Sequence, residues 1–340
     1  MKRYFAKRTT TTLSLMALLV MGFLATYSTS AGSGFKWSIT AATSAATSTA
    51  QALTLPKTNI YALTSDSMLY VLANGRNTFT RVGSVPKTNG NLIGIDFRPA
   101  NNQLYALTDT GKLLVLTPTN SSVNATLVSS LTPRFAGGFQ SLMDFNPVVD
   151  AIRLIGSNDQ NFAVVSSNGG ILNTTAVQTP VAYASGDTNA GVNPNLVGGA
   201  YNNNVAGATT TIFYAIDYDL DTFVTIANIT NGSSATGGGQ LKTLGPIVDG
   251  GGNPVNINPT ADIDIFTNAN GINSLVGING QSIFTIDLNQ VNINQPLGTR
   301  TPVRANSVTL PVFPTADSFI DIAVQTVGGQ AATAAQTASK

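Results

Sequence analysis

Aspartate is the residue type that could carry chemistry in this 340-residue chain, because most alternatives are missing. All 16 acidic residues are Asp, with no Glu, no His and no Cys. Without His there is no ordinary general base near neutral pH and no Ser-His-Asp triad. Without Cys there is no thiolate nucleophile, no disulfide framework and no Cys metal site. Four aspartates, Asp96, Asp144, Asp264 and Asp321, fall at one position of a recurring short run, where the remaining copy has Ala200. If that run lines a central channel, four carboxylates ring it. Like charges held close raise one another's pKa or attract a cation. Oxygen-only ligation suits Ca²⁺ or Mg²⁺, so these four residues are the candidate metal site and Ca²⁺ the one cofactor they point to. The structural alternative is that each Asp accepts backbone N–H groups or an Arg and locks neighbouring units together. Arg98 lies two residues beyond Asp96 on the same strand face, so a contact to Asp96 or to the next unit fits this alternative.

Two other acidic patterns are weaker. Asp217, Asp219 and Asp221 begin like an EF-hand loop, but Thr222 stands at the sixth position and Asn228 at the twelfth. A hairpin turn fits better. Asp262 and Asp264 share a strand face, and paired carboxylates at suitable separations hydrolyse glycosides. Trp37, the only Trp, lies outside the repeats, so they offer no Trp platform for a sugar. The sequons at Asn124, Asn173 and Asn228 matter only in a host that glycosylates exported chains.

The elements that must position these residues read as strands. Charged residues are only 10%, while Thr, Val, Gly and Asn abound, which favours strands and turns over helices. One run recurs as Ile95-Asp96-Phe97, Met143-Asp144-Phe145, Gly199-Ala200-Tyr201, Ile263-Asp264-Ile265 and Ile320-Asp321-Ile322. A second strand follows, as at Leu104 to Thr108 and Ile152 to Gly156, and then a third, as at Leu113 to Val115 and Phe162 to Val165. A fourth is visible at Ala125 to Val128. The unit is therefore about four antiparallel strands. Ile60 to Leu72 supplies second and third strands with no first, and Phe319 to Val324 supplies a first strand with nothing after it. Circular closure explains both, because radial repetition protects sheet edges. The expected fold is an all-β propeller of about five four-stranded blades, closed by the C-terminal strand. A sixth blade could hide in the insertions near 176–195 or 228–260.

The ends differ in character. Lys2, Arg3, Lys7 and Arg8 precede an apolar run from Leu13 to Ala25, which reads as a signal peptide over 1–31 with Thr29-Ser30-Ala31 at the cleavage site. Residues 32–56 read as an Ala/Thr/Ser-rich spacer, 57–326 as the propeller and 327–340 as a disordered tail. Removing 1–31 leaves 13 basic against 16 acidic residues, a net charge of −3. No basic patch argues for nucleic acid. The expected location is secreted, periplasmic or extracellular, with membrane contact only through an uncleaved N-terminal segment.

The stretches Gly94 to Ala100, Leu104 to Gly111, Asp144 to Arg153 with Gln160-Asn161, and Asn193-Pro194 before Ala200-Tyr201 together resemble a secreted bacterial family, domain of unknown function 4394. The resemblance spans about 58–325 and implies an exported protein of repeated β units. It implies no activity. The leading expectation is a non-catalytic binding or envelope-interaction module whose partner is a protein or glycan. The alternatives are an Asp-dependent, Ca²⁺-assisted hydrolase of extracellular carbohydrate or phosphoester, and a self-assembling surface or matrix protein.

Overall fold

The computed structural model describes residues 24–25, 39–40, 55–119, 121–137, 140–166, 170–234, 238–309 and 319–326. The chain divides into two units, 1–49 and 50–340. In the first, Leu24–Ala25 pairs antiparallel with Ile39–Thr40. Apart from these strands and Leu55-Pro56, the expected leader, spacer and tail lie outside the described residues. Among the described residues, no helix is long and apolar enough to cross a membrane.

The second unit is built of antiparallel four-stranded meanders. The second meander is Leu92–Arg98, Gln103–Thr108, Lys112–Pro118 and Val123–Ser130. The third is Ser141–Asn146, Ala151–Gly156, Asn161–Ser166 and Leu172–Val177. The fourth is Leu196–Tyr201, Phe213–Asp217, Thr222–Ile226 and Gln240–Val248. The fifth is Asp262–Thr267, Asn273–Asn279, Ser282–Ile286 and Val303–Thr309. The first takes its inner strand from the far end of the chain: Phe319–Val324 pairs with Ile60–Thr64, followed by Met68–Leu72 and Thr80–Ser84. The expected complementary half-repeats therefore do meet, with Val324 opposite Ile60.

Each inner strand packs beside the inner strand of the next meander, and the fifth packs beside the first, so the inner strands form a closed ring. The result is an all-β, propeller-like unit. Strands near the axis are buried on both faces, as in Ala151–Gly156, and read as continuous apolar runs. Outer strands such as Val123–Ser130 are largely exposed. Apolar clusters fill the spaces between neighbours: Tyr105, Phe135, Phe145 and Phe162 share one between the second and third meanders. The two insertions form smaller pieces. Ala182–Tyr183 adds in parallel to Gln240–Val248, and Ile229–Thr230 with Ser233–Ser234 makes a small hairpin. The outer strands of the fourth and fifth meanders also pair in parallel, through Ile247 to Val303 and Val248 to Arg304.

The inner strands approach very closely. A Cβ on Gly198 would come within 2.7 Å of the Asp262 Cα, so only glycine fits there. A Cβ on Gly94 would stand 2.9 Å from the Met143 Cβ and 3.3 Å from an Asp321 oxygen. Glycine at these positions lets the backbones come within reach of carboxylates on a neighbouring inner strand.

Candidate functional site

The ring of inner strands brings five aspartates together in two levels. Asp96, Asp144 and Asp264 form one level, with one oxygen from each lying within 4.8 Å of the others. Each is at most 2% exposed. Asp262 and Asp321 form the second level, two residues earlier along their strands. The register places Asp321 there: it pairs with Leu63 as Gly94 pairs with Leu107, while Ala323 opposite Tyr61 matches Asp96 opposite Tyr105. A bulge precedes Asp321 just as one precedes Gly94. The alignment expected from sequence is thus two residues out at the last strand. Ile320-Asp321-Ile322 imitates Ile263-Asp264-Ile265, but Asp321-Ile322-Ala323 is the counterpart of Asp262-Ile263-Asp264. Residues Tyr61-Ala62-Leu63 against Tyr105-Ala106-Leu107 held the correct register.

The carboxylates reach from strand to strand. The Phe145 N–H donates to Asp96 at 2.7 Å, and the Tyr201 N–H to Asp144 at 2.9 Å. The Val324 N–H donates to Asp264 at 2.5 Å. At the second level, the Ile322 N–H donates to Asp262 at 2.8 Å and the Ile95 N–H to Asp321 at 3.3 Å. Asp96 and Asp264 also accept from their own next residues, Phe97 at 2.6 Å and Ile265 at 2.5 Å. The long-range donors all belong to the strand following the aspartate around the ring. The fourth inner strand has no Asp to offer, since Gly198 and Ala200 occupy both levels.

Burial pushes all five carboxyls up, and their mutual repulsion adds to it. Desolvation dominates for Asp96, with the Asp264 charge next, against the amides of Phe145 and Phe97. Desolvation followed by Asp96 and Asp264 raises Asp144, and desolvation followed by Asp262 raises Asp321. Desolvation raises Asp262, opposed by the amides of Ile322 and Ile263. Asp264 is raised by desolvation to about 6, opposed by the amides of Val324 and Ile265. A tenfold change in proton affinity is worth about 1.4 kcal/mol between the protonated and ionised forms. Two carboxylates at this spacing repel by roughly 3 kcal/mol at an effective dielectric near 20. The oxygen-only donor set of Asp96, Asp144 and Asp264 has the chemistry Ca²⁺ or Mg²⁺ prefers. The geometry on view is a set of acceptors facing backbone amides.

Arginines fasten the meanders further out. Arg98 reaches the next meander rather than Asp96: its Nε donates to Asp150 at 2.8 Å and its Nη1 to the Gly170 carbonyl at 3.1 Å. Asp150 raises the Arg98 pKa. Arg153 repeats the pattern one meander on, donating to the Tyr201 hydroxyl at 2.6 Å and the Gly238 carbonyl at 3.1 Å. Arg153 stands opposite Asp144 across the strand pair, a register that only the fold reveals.

The Asp217 to Asp221 run is a hairpin connection. Asp217 ends one strand and is fully buried, accepting the Tyr183 hydroxyl at 2.6 Å. Asp219 accepts from Asn195, and Asp221 accepts the Ile257 N–H at 2.7 Å. The three carboxylates serve three different partners and do not converge.

A closed ring of inner strands, fastened by carboxylates and carrying outward meanders, defines the class as a propeller-like all-β protein. The chain belongs to the family described as Domain of unknown function (DUF4394), whose profile matches residues 86–302. No curated protein matches it. Among solved structures, a protein of unknown function from Bacteroides thetaiotaomicron VPI-5482 is similar at 13% identity with a TM-score of 0.42, over 66% of this chain and 55% of that one. YCF48 from Cyanidioschyzon merolae is similar at 11% identity with a TM-score of 0.31, over 67% of this chain and 66% of that one.

Proposed function

We propose that this is an exported, non-catalytic five-bladed propeller that acts as a binding or interaction module in the cell envelope or outside the cell. Five blades follow from taking each four-stranded meander as one blade and the parallel link between the fourth and fifth as a contact between blades. Export follows from the basic residues Lys2 to Arg8 ahead of the apolar run Leu13 to Ala25. The observation that carries the non-catalytic reading is the bonding of the channel aspartates. Asp96, Asp144 and Asp264 each accept a backbone N–H from the next inner strand. They are nearly free of solvent contact, whereas a hydrolytic carboxylate pair must face substrate and water. Recognition then falls to the loops, the usual carriers of function on a rigid scaffold. The long connections 178–195, 249–261 and 287–302 flank the fourth and fifth meanders.

The test is turnover. The purified protein is offered chromogenic glycosides and phosphoesters with Ca²⁺ and with chelator. The expected result is no hydrolysis above that of Asp144→Asn and Asp264→Asn variants. Turnover that either substitution abolishes, in a variant that still melts cooperatively, would replace this reading with the Asp-dependent hydrolase.

A further inference from the structure

The two faces of the propeller-like unit differ, and the difference follows from strand direction. Asp262 accepts from Ile322 and Asp264 from Val324, so neighbouring inner strands run in the same sense. Each meander is antiparallel. The turns from inner to second strand and from third to fourth strand therefore open on one face, and the other turns on the opposite face.

The first of these faces carries both ends of the described unit. The Gln325 N–H donates to the Asn59 carbonyl at 2.9 Å, and the Thr58 hydroxyl donates to the Gln325 carbonyl at 2.8 Å. The Thr326 hydroxyl donates to Asn102 at 2.8 Å, within the turn after the second inner strand. Leu55 and Thr326, the first and last described residues of the unit, both lie at this end of their strands.

The same face displays large apolar side chains. Val148, Val149, Ile171, Ile272 and Leu297 lie in its turns and are 38–54% exposed. Arg98 draws three of them into one patch, because it bonds both Asp150, beside Val149, and Gly170, beside Ile171. Lys57, Arg76 and Arg300 are exposed here, and the acidic residues of these turns are Asp150, paired with Arg98, and Asp287. The opposite face carries Asp66, Asp109, Asp159, Asp219, Asp221 and Asp249 against Lys87, Lys112 and Arg134.

We infer that the face bearing both chain ends is a membrane-docking face whose partner is an anionic lipid surface. Exposed apolar side chains flanked by Lys and Arg favour the boundary of an anionic bilayer, and an acidic opposite face is repelled by it. The inference rests on the reading of a non-catalytic envelope module and names its partner.

The chain has no cysteine, so single labels can be placed at will. Full-length Val149→Cys and Ile272→Cys report on the docking face, and Thr88→Cys and Asn158→Cys on the opposite one. Each carries an environment-sensitive fluorophore. The vesicles contain phosphatidylglycerol with phosphatidylcholine, or phosphatidylcholine alone, with a spin-labelled lipid as quencher. The expected result is a blue shift and several-fold stronger quenching at Val149→Cys and Ile272→Cys. The effect requires the anionic lipid and weakens in an Arg76→Glu, Arg300→Glu background. Equal quenching on both faces, or none at the docking face, overturns the inference. So does a blue shift at Val149→Cys that appears with protein concentration alone, which would make a second copy the occupant. The turnover assay and the labelling assay fail independently, so loss of one reading is distinguishable from loss of the other.

Discussion

Each channel aspartate sets the cost of burying a carboxyl against the amide it receives. For Asp144 the opposing sides are desolvation with the charges of Asp96, Asp264 and Asp262, and a single amide from Tyr201. An Asn in its place keeps an acceptor for that amide and removes the charge. Asp144→Asn is therefore expected to raise the melting temperature at neutral pH, whereas Asp144→Ala leaves the Tyr201 N–H unsatisfied and costs about 1–3 kcal/mol. Denaturant titration of both variants checks the pair, and a destabilised Asp144→Asn would argue that the charge itself is needed. Arg98 sits on the other side of the same logic. It is almost buried and bonded to Asp150, Tyr105 and Gly170, so Arg98→Met should loosen the second meander from the third. Asp150 is 38% exposed and can be solvated once Arg98 is gone, so the expected loss is about 1–3 kcal/mol, read from the unfolding midpoint.

At the scale of elements, the inner strands succeed because small residues stand where neighbours touch. Gly198→Ala would force a Cβ onto the Asp262 backbone, which nothing flexible can relieve. A loss of about 1–3 kcal/mol is expected from overpacking, and an unchanged midpoint would show that the fourth and fifth inner strands are less tightly apposed than they stand here. The strands themselves were legible in the sequence. Apolar runs of five to seven residues separated by Asn, Asp and Gly turns marked most inner, second and third strands, because β-branched and aromatic residues near the axis are buried on both faces. Closure by Phe319–Val324 was legible from the missing halves of the first and last repeats. Outer strands were harder to see, because they are exposed and their polar residues resemble loops. The register of Asp321 was misread because Ile320-Asp321-Ile322 and Ile263-Asp264-Ile265 are the same three-residue pattern two positions apart, and only the pairing with Ile60–Thr64 separates them. The parallel contact between Gln240–Val248 and Val303–Thr309 had no local signal either, since it joins segments over fifty residues apart and depends on how the blades lean.

For the whole molecule, the channel carboxyls give stability an unusual direction with pH. Their folded pKa values lie above the ordinary Asp value, so the folded state holds protons more tightly than the unfolded chain. Their contribution is fully present below the unfolded value near 3.9 and is lost as pH rises through the folded values, which for Asp264 is about 6. Asp264 alone then accounts for a loss on the order of 3 kcal/mol between acid and neutral pH. Asp249 is shifted the other way by the Asn253 side chain and acts below the ordinary range, outside this window.

The measurement that tests the central claim is the melting temperature of the full chain from about pH 4 to about pH 9, each point taken with Ca²⁺ and with chelator. If the channel aspartates are fasteners that share protons, the melting temperature falls as pH rises through about 6, and Ca²⁺ leaves the curve where it was. A bound ion would instead stabilise the folded chain by about 2.7 kcal/mol at a hundred times its Kd. A melting temperature that climbs with pH, or a Ca²⁺-dependent rise that Asp264→Asn removes, would contradict the account and make the channel a cation site.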